Sequence, residues 1–195
     1  AHAAAKKDAD TLRNSFPRIP VMQELPLEEQ RMTHVHVRGN FLDLGPTVEP
    51  GVPETLHDLR ADARPNRLDF ARWLVARENP LTARVQVNRM WEQIFGMGLV
   101  ETTEDFGTQG AMPTHPALLD WLAVEFMENG WSLKQLCKTI VMSATYRQSS
   151  VHRADAAELD PDNRLYWRGP RRRLSAEMVR DQALEVAGLL SDTMY

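Results

Sequence analysis

The sequence predicts a mostly α-helical domain, preceded by an irregular N-terminal arm that carries one or two short strands. From residue 66 onward, residues that commonly cap helices precede stretches whose apolar side chains recur at helical spacing. Residues 1–65, in contrast, are interrupted by prolines and glycines. The composition is that of a globular protein, with 43% hydrophobic and 26% charged residues. These observations predict about five capped helices in residues 66–195.

The arm, residues 1–65, contains one segment with the pattern of a strand. In "MTHVHVRG", Val35 and Val37 alternate with His34 and His36, which predicts a short strand near residues 33–38. The Ala-rich start, "AHAAAKKDAD", is typical of the end of a helix. The proline-rich segment "FPRIPVMQELPLEEQ" excludes helix and central strand, and "LGPTVEPGVPETL" is expected to run extended over a surface.

The first three predicted helices each have a residue that can cap them. Asn66 precedes "RLDFARWLVAR", and Asn79 with Pro80 opens "LTARVQVNRMWEQIF", which stops at Gly96. Thr114 is expected to cap "HPALLDWLAVEFMEN".

Two further helices complete the prediction. Ser132 and Gln135 form a capping box for "SLKQLCKTIVMSATY", with Trp131 positioned to pack on Leu136. Cys137 falls on the apolar stripe of this helix and is interpreted as a buried structural thiol. The last helix is predicted over residues 175–190. Its inward face is expected to consist of Ala176, Val179, Ala183, Ala187 and Leu190.

Bulk properties exclude several classes of protein. The formal net charge of −4 argues against a dedicated nucleic-acid-binding protein, which is usually strongly basic. No apolar run approaches the ~20 residues that a transmembrane helix needs, and the start of the chain lacks the apolar core of a signal peptide. The single cysteine excludes an internal disulfide and a CxxCH haem attachment within this chain.

The tripeptide Asp105-Phe106-Gly107 has the letters of the magnesium-binding motif of protein kinases. A kinase also needs a Gly-rich loop, a strand lysine and an HRD loop before this motif, and none of them precedes Asp105. The segment "EDFGTQGAMP" is therefore interpreted as an ordered turn. Gly107 and Gly110 permit left-handed backbone, and Asp105 can accept hydrogen bonds from turn amides.

Three histidines allow a catalytic or metal-binding interpretation and also a structural one. His115, at the start of a helix, can act as a general base or serve as a cap or packing residue. His34 and His36 lie on one side of the predicted strand and could share a metal with a third ligand, but the polar face of an edge strand explains them as well. Neither pattern is complete, and no metal site is predicted.

The densest charge feature is "NRLYWRGPRRRLSAEMVRD", where five arginines and two aromatic residues precede a helix. Cations at a helix N-terminus oppose the helix dipole, whereas anions are favoured there. The arginines are therefore expected either to pair with carboxylates of the fold or to surround a bound anion. The candidate ligand-binding residues of this segment and of the turn are Arg168, Arg171, Arg172, Arg173, Trp167, Asp105, Gln109 and His115.

Three separated stretches resemble a known family in the same order. They are "RLDFARWLVARENPLTARVQVNRMW", "GLVETTEDFGTQGAMPTHPALLDWLAVEFMENGWSLKQLCKTIVMSATYRQSS" and "NRLYWRGPRRRLSAEMVRDQAL". Together they resemble DUF1553, a domain of unknown function expanded in planctomycetes, over residues 66–190. The motif positions that match are Asn88, Arg89, Asp105, Gly107, Gln109, Gly110, His115, Pro116, Arg172, Arg173, Glu177 and Asp181. Two departures from the family pattern are Ala117, where a Glu is common, and the end at "LLSDTMY", where relatives continue.

The resemblance implies a domain in the C-terminal part of a large exported protein of the periplasm or cell envelope. A DUF1549 domain and a cytochrome c-like module commonly precede it, so any haem would lie outside this chain, which is expected to hold no cofactor of its own. The resemblance implies no catalytic residues. The sequence thus leaves two functions open. One is a helical scaffold that contacts neighbouring domains of the same polypeptide and binds an anionic ligand such as an acidic polysaccharide. The other is part of a carbohydrate-active or haem-linked redox enzyme with a shared site.

Overall fold

The computed structural model describes residues 2–17, 19–62, 64–191 and 193. The chain divides into two compact units. The first consists of Ala1–Glu54 and Asp58–Ala71, and the second of Thr55–His57 and Arg72–Tyr195.

The first unit contains a helix and a two-stranded antiparallel sheet. Helix α1 spans His2–Ser15, strand β1 Thr33–His36 and strand β2 Leu44–Val48. Thr33 pairs with Val48, and the register is irregular between His34 and His36. Strand β1 lies where the alternating pattern predicted it. Strand β2 lies in the segment expected only to be extended, and it tolerates Pro46 because a strand of a two-stranded sheet always has a free edge.

Seven further α-helices follow in the described part of the chain, and they confirm the mostly α-helical fold class. They are α2 (Arg67–Leu74), α3 (Thr82–Phe95), α4 (Pro116–Glu128), α5 (Leu133–Val141), α6 (Ala144–Arg147), α7 (Ala154–Leu159) and α8 (Ala176–Val186). Five of them correspond to the five predicted helices. The single helix predicted over residues 132–146 is interrupted: α5 ends at Val141, and Ser143 caps the separate short helix α6 by accepting from the amide of Tyr146. Helix α7 was not predicted, because six residues are too few to show a helical period.

The hydrophobic core lies between α3, α4 and α5, together with the segment that follows α3. The most deeply buried side chains are Val87, Asn88, Leu99, Leu122 and Ile140. Each large apolar side chain removed from water in this way contributes about 1.5–3 kcal/mol to folding. This core therefore fixes the loop between α3 and α4, which contains the candidate residues Asp105, Gln109 and His115.

Three of the predicted helix caps are confirmed. The side-chain oxygen of Asn66 accepts hydrogen bonds from the amides of Leu68 and Asp69. Asn79 likewise caps α3, and Ser132 accepts from the amide of Gln135. These caps were predictable because each side-chain oxygen accepts from an amide at most three residues later in the sequence.

The predicted Thr114 cap is wrong. Helix α4 begins after His115, whose side chain makes no capping hydrogen bond. The Thr114 hydroxyl donates instead to the carbonyl of Leu99 at 3.3 Å, and the Thr114 amide donates to the same oxygen at 2.9 Å. Thr114 therefore fastens the loop to the segment after α3, a long-range contact that a local pattern does not encode.

The prediction of an inward face on the last helix is also wrong. Ser175 caps α8 as its position suggests, by accepting from the amide of Met178. All five residues assigned to the inward face are nevertheless exposed, including Val179 at 53%. Helical spacing shows that apolar side chains share one face of a helix. It does not show that another part of the protein covers that face.

Candidate functional site

The loop after α7 is organised around the side chain of Asp160. Its carboxylate accepts hydrogen bonds from the amides of Arg164 and Leu165, at 2.9 and 2.7 Å. Its backbone carbonyl accepts from the indole nitrogen of Trp167 at 2.8 Å. Because both ends of Asp160 are engaged, the indole is held in one orientation relative to the loop.

Asn163 fixes the other side of this loop. It adopts the left-handed backbone conformation, with φ of 58°, which asparagine tolerates better than most residues. Its side chain makes two hydrogen bonds with the backbone of Arg168: the side-chain nitrogen donates to the carbonyl, and the oxygen accepts from the amide. The backbone on either side of Trp167 is thus held by side chains, as expected for a surface loop that positions a ligand contact.

Three basic side chains surround the indole of Trp167. The guanidinium carbons of Arg168 and Arg153 lie 5.2 and 5.7 Å from the ring centroid, within cation–π range. The imidazole of His152 meets the same ring edge-on, with the centroids 5.9 Å apart. We call these four residues the Trp167 cluster.

The two arginines of the Trp167 cluster have no carboxylate partner among the residues that the structure describes. The nearby carboxylate of Asp160 is occupied by backbone amides. A guanidinium that stacks on an indole keeps its in-plane N–H groups available, and these match the oxygens of carboxylate, sulfate and phosphate. The arrangement can therefore hold an anion.

The three consecutive arginines before α8 are not part of the Trp167 cluster. Arg172 lies across Gly96 at the C-terminal end of α3, and its guanidinium donates to the carbonyl of Glu92 at 3.3 Å. A cation at a helix C-terminus is favoured by the helix dipole. Arg171 and Arg173 are exposed and form no ion pair in the described part of the chain.

The turn that contains the kinase-like letters is held together by its own polar groups. The Asp105 carboxylate accepts from the amide of Gly107 at 2.7 Å, and its carbonyl accepts from the hydroxyl of Thr102 at 2.8 Å. Gly110 packs so closely on the carbonyl of Asp105 that a side chain there would collide with it. Asp105 thus plays the turn-forming role predicted for it, while Gln109 is exposed on the same loop.

The side chain of His115 packs against an aromatic ring of the core and not against the Asp105 turn. Its Nδ1 lies 3.0 Å from the Thr114 hydroxyl, and its ring lies 5.6 Å from that of Tyr166. The phenol oxygen of Tyr166 accepts a hydrogen bond from the indole nitrogen of Trp91 at 2.8 Å. Burial raises the pKa of Tyr166, and the Trp91 hydrogen bond opposes that rise. Tyr166 therefore joins the loop of the Trp167 cluster to α3 and to the start of α4.

The structure unites only part of the predicted ligand set. Trp167 and Arg168 lie together, whereas no hydrogen bond or ion pair among the described residues connects them with Asp105 or Gln109. His152 and Arg153 belong to the cluster but were not predicted. Their proximity to Trp167 depends on α7 and the following loop, and no local spacing signals it.

A hollow of about 700 Å³ lies within the first unit. Its charges are paired across it, Arg64 with Glu49 at 2.9 Å and Arg67 with Glu24 at 2.7 Å. The hydrogen bond from Arg67 lowers the pKa of the Glu24 carboxyl. In each of these two pairs the guanidinium and the carboxylate neutralise one another. Neither pair therefore leaves a charge free to bind an ionic ligand.

The described residues contain neither a group of three metal-ligating side chains nor a membrane-spanning helix. No three His, Cys, Asp or Glu side chains there form a group that could hold a metal ion. His34, one of the histidines on β1, has its Nδ1 3.1 Å from the carbonyl of Gly45. In the same ranges, no helix is both long enough and apolar enough to cross a membrane.

Comparison with known proteins identifies a family. Neither the curated proteins nor the solved structures include a significant match to the chain. The family model described as "PSD1: Protein of unknown function (DUF1553)" matches residues 66–195, which is well over half of the chain. This span contains α3, α4, α5, the Asp105 turn and the Trp167 cluster. The protein therefore belongs to the DUF1553 family.

Proposed function

We propose that this domain is a helical binding module of a larger exported envelope protein, and that the Trp167 cluster binds an anionic ligand, with an acidic polysaccharide as the natural one. The observation that carries the proposal is the pair of guanidinium groups of Arg153 and Arg168, which lie 5.7 and 5.2 Å from the centroid of one indole and have no carboxylate partner among the described residues.

The cation–π contacts favour binding because they limit the freedom of both side chains before the ligand arrives. An arginine normally loses rotamer entropy when it is fixed in a complex, and an arginine already held on an aromatic ring loses less. A polysaccharide with carboxylate or sulfate groups could place one anionic group on the two guanidinium groups.

The scaffold part of the proposal is supported by α8. Its apolar residues Val179 and Met178 are 53% and 48% exposed. We propose that neighbouring domains of the same polypeptide cover this face. An enzyme with a shared site remains the alternative. In the described part of the chain, however, the Asp105 carboxylate is used in its own turn and His115 packs on Tyr166.

The experiment compares dextran sulfate and polygalacturonate with unsulfated dextran by isothermal titration calorimetry at low salt. The expected result is binding of both anionic polymers but not of dextran. Arg153→Gln/Arg168→Gln should weaken that binding at least about tenfold, since a hydrogen bond to a charged group contributes about 1.5–3 kcal/mol.

The matched control is Arg171→Gln/Arg173→Gln, which removes the same charge from exposed positions outside the cluster. An equal loss of affinity in both double variants would show attraction by overall charge rather than a site. Binding that the first double variant leaves intact would overturn the proposal. Melting temperatures of all variants confirm that they are folded.

A further inference from the structure

His152 is the member of the Trp167 cluster whose charge changes near neutral pH. Histidine side chains gain a proton between about pH 8 and pH 5, whereas an arginine guanidinium stays charged throughout that range. The imidazole of His152 meets the indole of Trp167 edge-on, and the guanidinium groups of Arg153 and Arg168 lie on the same indole. The cluster therefore combines two permanent positive charges with one position whose charge depends on pH.

The three basic groups are close enough to act on one anion. Each of them lies within 5.9 Å of the centroid of the Trp167 ring. Any two are therefore separated by at most about 12 Å, which is well inside the screening length of about 30 Å in 0.01 M salt. At low ionic strength, an anion held by either guanidinium is attracted by a proton on His152 as well.

Within the described part of the chain, no carboxylate pairs with His152, whose side chain is exposed. The carboxylates of α7 and of the loop after it are those of Asp155, Glu158, Asp160 and Asp162. The Asp160 carboxylate accepts from two backbone amides, and the other three form no ion pair among the described residues. The further cation of this loop, Arg164, pairs with Glu101 at 3.1 Å. A proton on His152 is therefore left for a ligand.

We infer that His152 is a third cationic contact of this anion site, so that the affinity of the Trp167 cluster for anions rises as pH falls. The inference rests on the proposed function and concerns the regulation of the same site. With His152 neutral, two guanidinium groups hold the anion. With His152 protonated, both ring nitrogens are donors and the site gains a third positive charge. The domain would thus hold an acidic polymer in mildly acidic surroundings and release it as pH rises.

The experiment measures the affinity for dextran sulfate by isothermal titration calorimetry at about pH 5.5 and about pH 8, in buffers of the same low ionic strength. Sulfate esters stay ionised at both pH values, so only the charge of the protein changes. We expect binding at least about threefold tighter at the lower pH, since one added unit charge about 6 Å from an anion has that effect even in water.

Two substitutions of His152 separate its charge from its ring contact. His152→Gln is neutral and His152→Lys is positive at both pH values, and both variants lose the ring that meets Trp167. His152→Gln should bind at both pH values as the wild type does at the higher one, and His152→Lys as the wild type does at the lower one. The chain contains six histidines, so His36→Gln, at an exposed position on β1, is the matched control and should keep the wild-type pH dependence.

Three results would overturn this role of His152. They are equal wild-type affinities at the two pH values, a pH dependence that persists in His152→Gln, and a pH dependence that His36→Gln reduces as much as His152→Gln does. The proposed function survives each of them as long as Arg153→Gln/Arg168→Gln weakens binding. Binding that this double variant leaves intact would overturn the proposed function itself. Melting temperatures at both pH values confirm that every variant is folded.

Discussion

Asn88 and Val100 exchange two hydrogen bonds inside the core. The side-chain nitrogen of Asn88 donates to the carbonyl of Val100 at 2.9 Å, and its oxygen accepts from the Val100 amide at 2.8 Å. Asn88 is 0% exposed. Gly98 makes room for this pairing, since a Cβ atom there would lie 2.6 Å from the Asn88 nitrogen. The middle of α3 therefore holds the segment that leads into the Asp105 turn.

We expect Asn88→Ala to lower the free energy of unfolding by about 2–6 kcal/mol. The substitution leaves two buried backbone groups of Val100 without partners, and each costs about 1–3 kcal/mol. Urea denaturation followed by circular dichroism measures the change. Asn129→Ala is the control, because Asn129 is exposed and hydrogen-bonds within α4. Similar losses in the two variants would contradict a special role for the Asn88–Val100 pair.

Alkaline pH should destabilise the fold through Tyr166. Burial raises the pKa of this phenol in the folded protein. Its contribution to stability is therefore complete below the ordinary tyrosine pKa and is lost as pH rises toward the folded value, because the unfolded chain ionises first. Urea denaturation at a series of alkaline pH values, with tyrosinate absorbance recorded in parallel, measures the effect.

Tyr166→Phe is the control for that series. It should lower stability at neutral pH, since the indole nitrogen of Trp91 loses its acceptor. It should also flatten the alkaline decline. A decline of the same steepness in Tyr166→Phe would assign the effect to another group.

Replacing Arg172 should weaken the end of α3. In Arg172→Gln the positive charge near the Glu92 carbonyl disappears. We expect a loss of about 0.3–1 kcal/mol at low salt, which added salt reduces. Arg171→Gln removes an equal charge from an exposed neighbour and should change stability less. An anion-dependent stability that only Arg172→Gln abolishes would instead assign Arg172 to a ligand site.

Acid should loosen the first turn of α8. Hydrogen bonds from the Glu177 backbone amide and then from the Ser175 side chain lower the pKa of the exposed Glu177 carboxyl. The stabilisation is present above the ordinary glutamate pKa and is lost as pH falls through the lowered value. Carbon secondary chemical shifts of residues 176–180 should move toward coil values on acidification. In Glu177→Gln these shifts should depend less on pH.

The sequence predicted local features of the fold well and long-range ones poorly. The Asn66 and Ser132 caps were predicted because each oxygen and its amide lie within three residues. Thr114 has equally good capping chemistry, but a contact with Leu99, 15 positions away, determines its role. Of the Trp167 cluster, Trp167 and Arg168 were noted as neighbours in sequence. Arg153 reaches the indole only through the tertiary path of the chain.

The hydrogen bond between Trp91 and Tyr166 spans 75 positions, and the one between Glu92 and Arg172 spans 80. Closing so long a loop carries an entropic cost that must be met before its contacts stabilise anything. Helices α3, α4 and α5, which follow one another closely, can associate without that closure. The order of events in folding is therefore expected to be helical packing first and the arrival of Tyr166 last. The loop that presents Trp167 would then be the last part of this domain to form and the first to open.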